Sequence, residues 1–345
     1  MRLFEKVGAH VLVDGQFGST GKGAMASYLA LRAMEDGVME DFQGVITSAG
    51  PNSGHTSWYG QEKTVLKQLP TFAVHAHLMG HTIPVYLSAG AVIDPDILRA
   101  EALRYPGLPI FVHPNAAVIH NIDKMLEQTG PIRDIASTQS GTGSAIASKV
   151  YRRPDAIARE SLTEMPHNVA LQIHQIKPGT GAYFVEVSQG FSLGINSEFY
   201  PHVTSRECTV MQAIADARIA PRHVAKTYMC IRTYPIRVGN LGEHSSGGWY
   251  NDQEEIDWAD IGVEPELTTV TKRIRRIATF SMYQFEDAVR ANDPDIVGIN
   301  FMNYLNDEAQ ETLLADIRDV RTRIGKDFGI ISGHGPNPTN WRVEV

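Results

Sequence analysis

Residues 11–23, V-L-V-D-G-Q-F-G-S-T-G-K-G, constrain this chain more than any other stretch. An apolar run stops at Asp14, the chain turns through Gly15 and Gly18, and Gly21-Lys22-Gly23 leads into the helix-like A-M-A-S-Y-L. That order predicts a buried strand, a glycine-rich turn and a helix N-terminus. Such a turn offers backbone amides and a lysine to phosphate oxygens. The spacing is not that of a Walker A loop: five residues separate Gly15 from Gly21, and Gly23 stands where Ser or Thr is usual. A modified phosphate loop is expected, with Ser19 inside it. On this stretch alone, the plainer reading of a tight turn before a helix stays open.

Short apolar runs at 11–13, 44–47, 84–87, 110–112 and 183–187 read as buried strands. Segments 22–35, 95–104, 210–217, 222–228 and 308–325 read as helices. Strands alternating with helices predict an α/β fold, with a mainly parallel central sheet and flanking helices. Ligands of such folds sit at the carboxyl ends of strands, where the first loop lies. Residues 239–267, rich in Gly, Ser, Asp and Glu, read as a surface excursion. No linker divides the chain, so residues 1–345 are expected to form one catalytic domain.

The net charge of −8 argues against broad nucleic-acid binding. Cys208 and Cys230 are too few for a disulfide framework and suit a reducing cytosol. Nothing approaches the roughly 18 apolar residues of a membrane helix, and no signal-peptide pattern is present, so a soluble cytoplasmic protein without a membrane partner is expected. His75, His77 and His81 argue weakly for a metal, because alternation on a strand accounts for the first two and no fourth ligand is evident.

Six further runs are rich in Gly, hydroxyl or basic residues. They are G-P-N-S-G-H-T at 50–56, A-S-T-Q-S-G-T-G at 136–143, S-Q-G at 188–190, Y-P-H-V-T-S at 200–205, T-T-V-T-K-R-I-R-R at 268–276 and I-S-G-H-G-P at 331–336. Singly, each reads as a polar turn, a surface histidine or a solvated face. The basic run lacks interleaved aromatics, which argues against nucleic acid.

In order, these runs resemble the adenylosuccinate synthetase family, whose loop reads G-D-E-G-K-G and whose later motifs include N-A-G-H-T, T-T-G-R-G-I-G, A-Q-G, Y-P-Y-V-T-S, T-T-G-R-R-R-R and S-T-G-P. The resemblance spans residues 11–336. It implies a catalytic set of Ser19, Lys22 and His55. His55 would stabilise the transferred γ-phosphoryl group, and Ser19 and the Gly54 carbonyl would touch Mg²⁺. The substrate nucleotide would be held by Ser19, Asn52, Thr138, Gln139, Lys149, Gln189 and Thr204. Arg152 would reach that monophosphate from the other subunit of a homodimer. L-aspartate would lie on Thr271, Arg273 and Arg275. The donor nucleotide would lie on Thr20, Gly21, Lys22, Gly23, Gly54, His55, Thr56, Asn303, Gly335 and Pro336.

Two departures from the family pattern sharpen this. Ser19 replaces the loop aspartate that takes the N1 proton of IMP. A serine is small and neutral, and its hydroxyl can accept a hydrogen bond, which suits a purine with a 2-amino group beside N1. The exchange resembles the phage 2-aminoadenylosuccinate synthetases, which act on dGMP and lead to 2-aminoadenine DNA. Phe301-Met302-Asn303 replaces the K-x-D that reads the guanine of GTP, which points to ATP or dATP as donor. The expected reaction joins L-aspartate to C6 of dGMP through a 6-phosphoryl intermediate. Two alternatives stand beside it: an ordinary adenylosuccinate synthetase acting on IMP, and a non-catalytic nucleotide-binding regulatory module.

Overall fold

The computed structural model describes residues 1–173, 176–268 and 272–344. The strand Gly8–Asp14 (β1) is buried along its whole length, as a central strand of a parallel sheet must be. Its side chains alternate between two cores. Leu12 packs with Met25, Leu29, Phe72 and Phe184. Val11 and Val13 face away and pack with Ile231, Phe285 and Ile317.

The other strands of this sheet are Phe42–Thr47 (β2), Val85–Leu87 (β3), Ile110–Val112 (β4), Val169–Leu171 (β5), Ala182–Glu186 (β6), Val224–Arg232 (β7), Ile296–Asn300 (β8), Gly329–Gly333 (β9) and Trp341–Glu344 (β10). Among the described residues their spatial order is β10-β9-β8-β7-β1-β6-β2-β3-β4-β5. Neighbours run parallel throughout, except that β10 runs antiparallel to β9. Helices Lys22–Glu35 (α1), Thr71–Leu78 (α2) and Pro95–Arg104 (α3) cover the Leu12 face. Helices Asn121–Thr129 (α4) and Thr142–Val150 (α5) lie against each other, and α5 packs beside Val92 and Ile119. Val210–Asp216 (α6), Met282–Asn292 (α7) and Asp307–Ile324 (α8) cover the opposite face of the sheet. The expected α/β fold with a mainly parallel sheet is the observed one.

Three local expectations fail. Segment 222–228 is not a helix: a 3-10 turn at Pro221–His223 leads into β7, buried from Thr227 to Arg232 between β1 and β8. The charged and polar residues within 222–227 mask the apolar run Tyr228-Met229-Cys230-Ile231 that follows, and a run that short fits a buried strand as well as a helix. His75 and His77 lie on α2, not on a strand, and burial pulls the His75 imidazole down to about 4. Residues 239–267 are more than a surface loop. They carry the strand Glu255–Ile256, which joins Ile236–Arg237 and Arg276–Ala278 in a small antiparallel sheet over the buried Trp258. No described helix is long and apolar enough to cross a membrane, and both cysteines are free and buried.

Candidate functional site

The carboxyl ends of β1, β6, β7 and β8 each end in a buried polar residue: Asp14, Glu186, Arg232 and Asn300. Polar groups pushed this far into a sheet need partners, and these find them in the loops around one cavity of about 1080 Å³.

Asp14 shapes the first loop. Its Oδ1 accepts from the amides of Gln16 (2.9 Å) and Gly18 (3.2 Å). Its Oδ2 accepts from the Thr20 hydroxyl (2.5 Å) and the Lys22 ammonium (3.0 Å). Lys22 also donates to the Gln189 carbonyl at 2.7 Å. Wrapped around this carboxylate, the loop places Ser19 and Gly21 in the left-handed region, with φ of 55° and 87°. Glycine is required at 21, because a Cβ there would run into the Asn300 amide. Beneath the loop, the Cys230 thiol donates to the Thr20 carbonyl at 3.4 Å, and burial pushes that thiol up to about 12.

His55 opens a hairpin strand, His55–Tyr59, and its Nδ1 lies 2.8 Å from Glu186 Oε1. The other Glu186 oxygen accepts from the Phe72 amide at 3.0 Å. A fully buried carboxylate fixed at both oxygens sets the ring so that Nδ1–H donates and Nε2 is left for the cavity. Gln189, at φ 74°, donates from Nε2 to Asn52 Oδ1 at 2.9 Å, joining two expected nucleotide residues.

Arg232 is fully buried and forks onto Glu266, with Nη2 to Oε1 at 2.6 Å and Nη1 to Oε2 at 3.3 Å. Nη1 also donates to the Ser19 carbonyl at 3.0 Å, and the guanidinium lies 4.0 Å above the Phe301 ring. Burial alone would raise the Glu266 carboxyl, but the Arg232 charge, hydrogen bonds from Arg232 and Tyr304, and nearby Arg275 hold it below the usual range. The Glu266 carbonyl accepts from the Arg275 amide at 2.9 Å. Burial pulls the Arg275 guanidinium down to about 10, with Glu266 opposing the shift and Arg232 adding to it.

The cavity brings together most of the sequence-derived set. Ser19, Thr20, Gly21, Lys22, Gly23, Asn52, Gly54, His55, Thr56, Thr138, Gln189, Thr204, Arg275, Asn303, Gly335 and Pro336 all line it. Four residues of the set are absent from its lining. Gln139 sits beside Thr138 at φ 54°. Lys149 donates to the Ala89 carbonyl at 2.5 Å. Arg152 is exposed just past the end of α5. Arg273 donates to the Ala136 carbonyl at 3.0 Å, tying the basic run to the 136–143 loop. Thr271 lies outside the described residues.

Sequence reading missed Glu186, Arg232, Glu266 and Glu127. Glu127 accepts from the Gly141 amide (2.7 Å) through Oε2, and from the Gly143 (2.7 Å) and Ser144 (3.2 Å) amides through Oε1. A charged residue ending an apolar run, as in F-V-E and C-I-R, was the available signal for Glu186 and Arg232. Glu127 and Glu266 carried none.

Residues 11–168 and 155–310 match the family model of adenylosuccinate synthetase. The N6-succino-2-amino-2'-deoxyadenylate synthases of Salmonella phage PMBT28 and Vibrio phage phiVC8 are 36% and 35% identical to this chain. Those alignments cover 90% and 86% of this chain, and 89% and 86% of the relatives. Among solved structures, the succinoaminodeoxyadenylate synthetase of cyanophage S-2L, bound to dGMP and dATP as an energy donor, is 34% identical. It matches with a TM-score of 0.86, covering 98% of this chain and 96% of that one.

The Asp14–Lys22 pair gives a direct test. In Asp14→Asn, Oδ1 can still accept the two amides, but the amide nitrogen then faces the Thr20 and Lys22 donors. With a buried ammonium stripped of its counter-charge, unfolding stability should fall by about 3–5 kcal/mol. Denaturant titration of both proteins measures this. A loss below about 1 kcal/mol, the scale of an exposed pair, would mean the pair does not hold the loop.

Proposed function

This chain belongs to the adenylosuccinate synthetase family, and on that premise we propose that it is the ligase that joins L-aspartate to C6 of dGMP. The O6 of dGMP takes the γ-phosphoryl group of ATP or dATP. The aspartate amine then displaces phosphate at C6, giving the 6-succinylamino-2-amino product, ADP or dADP, and phosphate. The product is a precursor of 2-aminoadenine for DNA. The observation that carries the reading is Ser19. It lines the cavity at the family's aspartate position, and Arg232 and Asp14 hold its loop. A neutral hydroxyl there tolerates a guanine 2-amino group that a carboxylate would crowd. The phage relatives, named for the 2-amino product, support the same choice.

The residues divide the work by chemistry. Lys22 and the amides of residues 20–23 neutralise charge on the donor phosphates, where electrostatic positioning does most of the catalysis. His55, steadied by Glu186, presents Nε2 to the group in flight. The Gln189–Asn52 pair faces the purine. Thr138 and Thr204 take the monophosphate, with Gln139 and Lys149 shaping that end of the site. Arg273 and Arg275, with Thr271, take the aspartate carboxylates. Asn303, Gly335 and Pro336 receive the adenine of the donor.

Magnesium fits this donor set only in company with the phosphates. Asp14 is engaged by Lys22 and Thr20, and no group of three or more His, Cys, Asp or Glu among the described residues suits a metal. The Ser19 hydroxyl and Gly54 carbonyl are oxygen donors of the kind this hard ion accepts. The ion would balance triphosphate charge.

We further read the active unit as a symmetric homodimer of chains whose residues 1–345 act as one catalytic domain. The exposed Arg152 of each chain would complete its partner's monophosphate site, because a planar guanidinium suits bidentate phosphate contact.

Phosphate release with IMP, GMP, dGMP and dAMP, each with and without aspartate, tests the whole reading. Aspartate-dependent release should be highest with dGMP. A preference for IMP in kcat/KM would make the chain an ordinary adenylosuccinate synthetase. Nucleotide binding without any aspartate-dependent release would leave a regulatory module. Ser19→Asp should lower dGMP turnover by crowding the 2-amino side, and dGMP turnover at the wild-type rate would remove the role given to Ser19.

Glu186→Gln keeps a hydrogen-bonding group beside His55 but removes its charge. It should lower kcat roughly tenfold or more, the usual scale for groups that orient a functional residue. The KM for aspartate should stay near the wild-type value. An unchanged kcat would make Glu186 a purely structural partner.

The shared site is checked by mixing two inactive variants, Arg152→Ala and His55→Ala. Hybrid dimers should regain part of the activity. A fully active monomer in sedimentation at assay concentration would refute the sharing.

A further inference from the structure

Lys272 is a departure that the mechanism has not used. The family's T-T-G-R-R-R-R run, laid on Thr271, Arg273 and Arg275, puts its glycine at this position. Here the residue is lysine, and its backbone has a φ of 55°. That left-handed conformation costs a side-chain-bearing residue free energy that glycine does not incur. Strain of this kind gathers at functional sites. Lys272 also lines the cavity, and among the described residues no hydrogen bond or ion pair holds its ammonium.

Its neighbours are already engaged. The Arg273 guanidinium donates to the Ala136 carbonyl at 3.0 Å. Arg275 is set beside the Glu266 carboxylate, which draws on its charge. A dicarboxylate carries two negative groups, and a pair of guanidiniums of which one is turned to a backbone carbonyl and stands outside the cavity lining matches them incompletely. The ammonium of Lys272 is mobile, strongly charged and close by in the chain.

We propose that Lys272 supplies a third cation to the dicarboxylate subsite and contacts a carboxylate of L-aspartate directly. The inference rests on the ligase reading above, in which Arg273 and Arg275 receive that substrate. It makes Lys272 a specificity residue for the co-substrate rather than for either nucleotide.

The test is steady-state phosphate release by the wild-type enzyme and by Lys272→Met, Lys272→Arg and Lys272→Gly, varying aspartate, dGMP and ATP in turn. Lys272→Met should raise the KM for aspartate about five- to tenfold, the range between an exposed ion pair and a charge-assisted hydrogen bond. The KM values for dGMP and ATP should stay within about twofold, and Lys272→Arg should retain most of the aspartate affinity. Added KCl should raise the aspartate KM of wild type more steeply than that of Lys272→Met. Lys272→Gly should show the same aspartate defect with a Tm equal to or above wild type, which separates loss of the cation from loss of the fold. An unchanged aspartate KM in Lys272→Met or Lys272→Gly overturns the proposal, as does a rise confined to the dGMP or ATP KM. Wild-type enzyme without aspartate-dependent release would instead defeat the ligase reading itself.

Discussion

One buried carboxylate organises the functional end of this molecule. Asp14 gathers two amides, a hydroxyl and an ammonium at the end of the central strand. Each donor lies within eight residues of it, so the carboxylate acts as a template around which the chain is wound. The loop's unusual backbone at Ser19 and Gly21, the direction of Lys22 and the start of α1 follow from that winding. Leaving such a carboxylate without partners at this depth would be costly, so the loop has little freedom to take another shape.

The Arg232–Glu266 pair extends this order outward. Arg232 reaches the Ser19 carbonyl, Glu266 and the face of Phe301. The Glu266 carbonyl holds the Arg275 amide, and its carboxylate receives the Tyr304 hydroxyl at 3.3 Å. Three segments that are distant in sequence therefore meet on one ion pair: the first loop, the basic run and the turn after β8. A reaction that brings three molecules together benefits from such mutual positioning, since well-aligned groups avoid much of the entropy cost of encounter.

The sheet and most of the cavity were legible in the sequence, for different reasons. Buried parallel strands announce themselves as short apolar runs, so β1, β2 and β6 could be read directly. β7 could not, because its apolar run has no period of its own, and its neighbours β1 and β8 decide its conformation. Glycine-rich and hydroxyl-rich loops gave Ser19, His55, Thr138 and Gln189 through their order along the chain. Glu266 and Glu127 escaped because their partners are backbone amides or residues remote in sequence, which only folding brings within reach. Lys149 shows the complementary limit: linear spacing puts it in the last turn of α5 but does not reveal that its ammonium donates to the Ala89 carbonyl.

The Cys230 thiol under the first loop has a chemical consequence. Thiolates react with oxidants and alkylating reagents far faster than thiols do. Burial pushes Cys230 and Cys208 up to about 12, so almost none of either is thiolate at neutral pH. The floor of the loop is thus built from sulfur that is inert while the fold persists. Labelling at Cys230 by a thiol-specific reagent would report opening of β7 beneath the loop, whereas labelling at Cys208 would report the segment before α6.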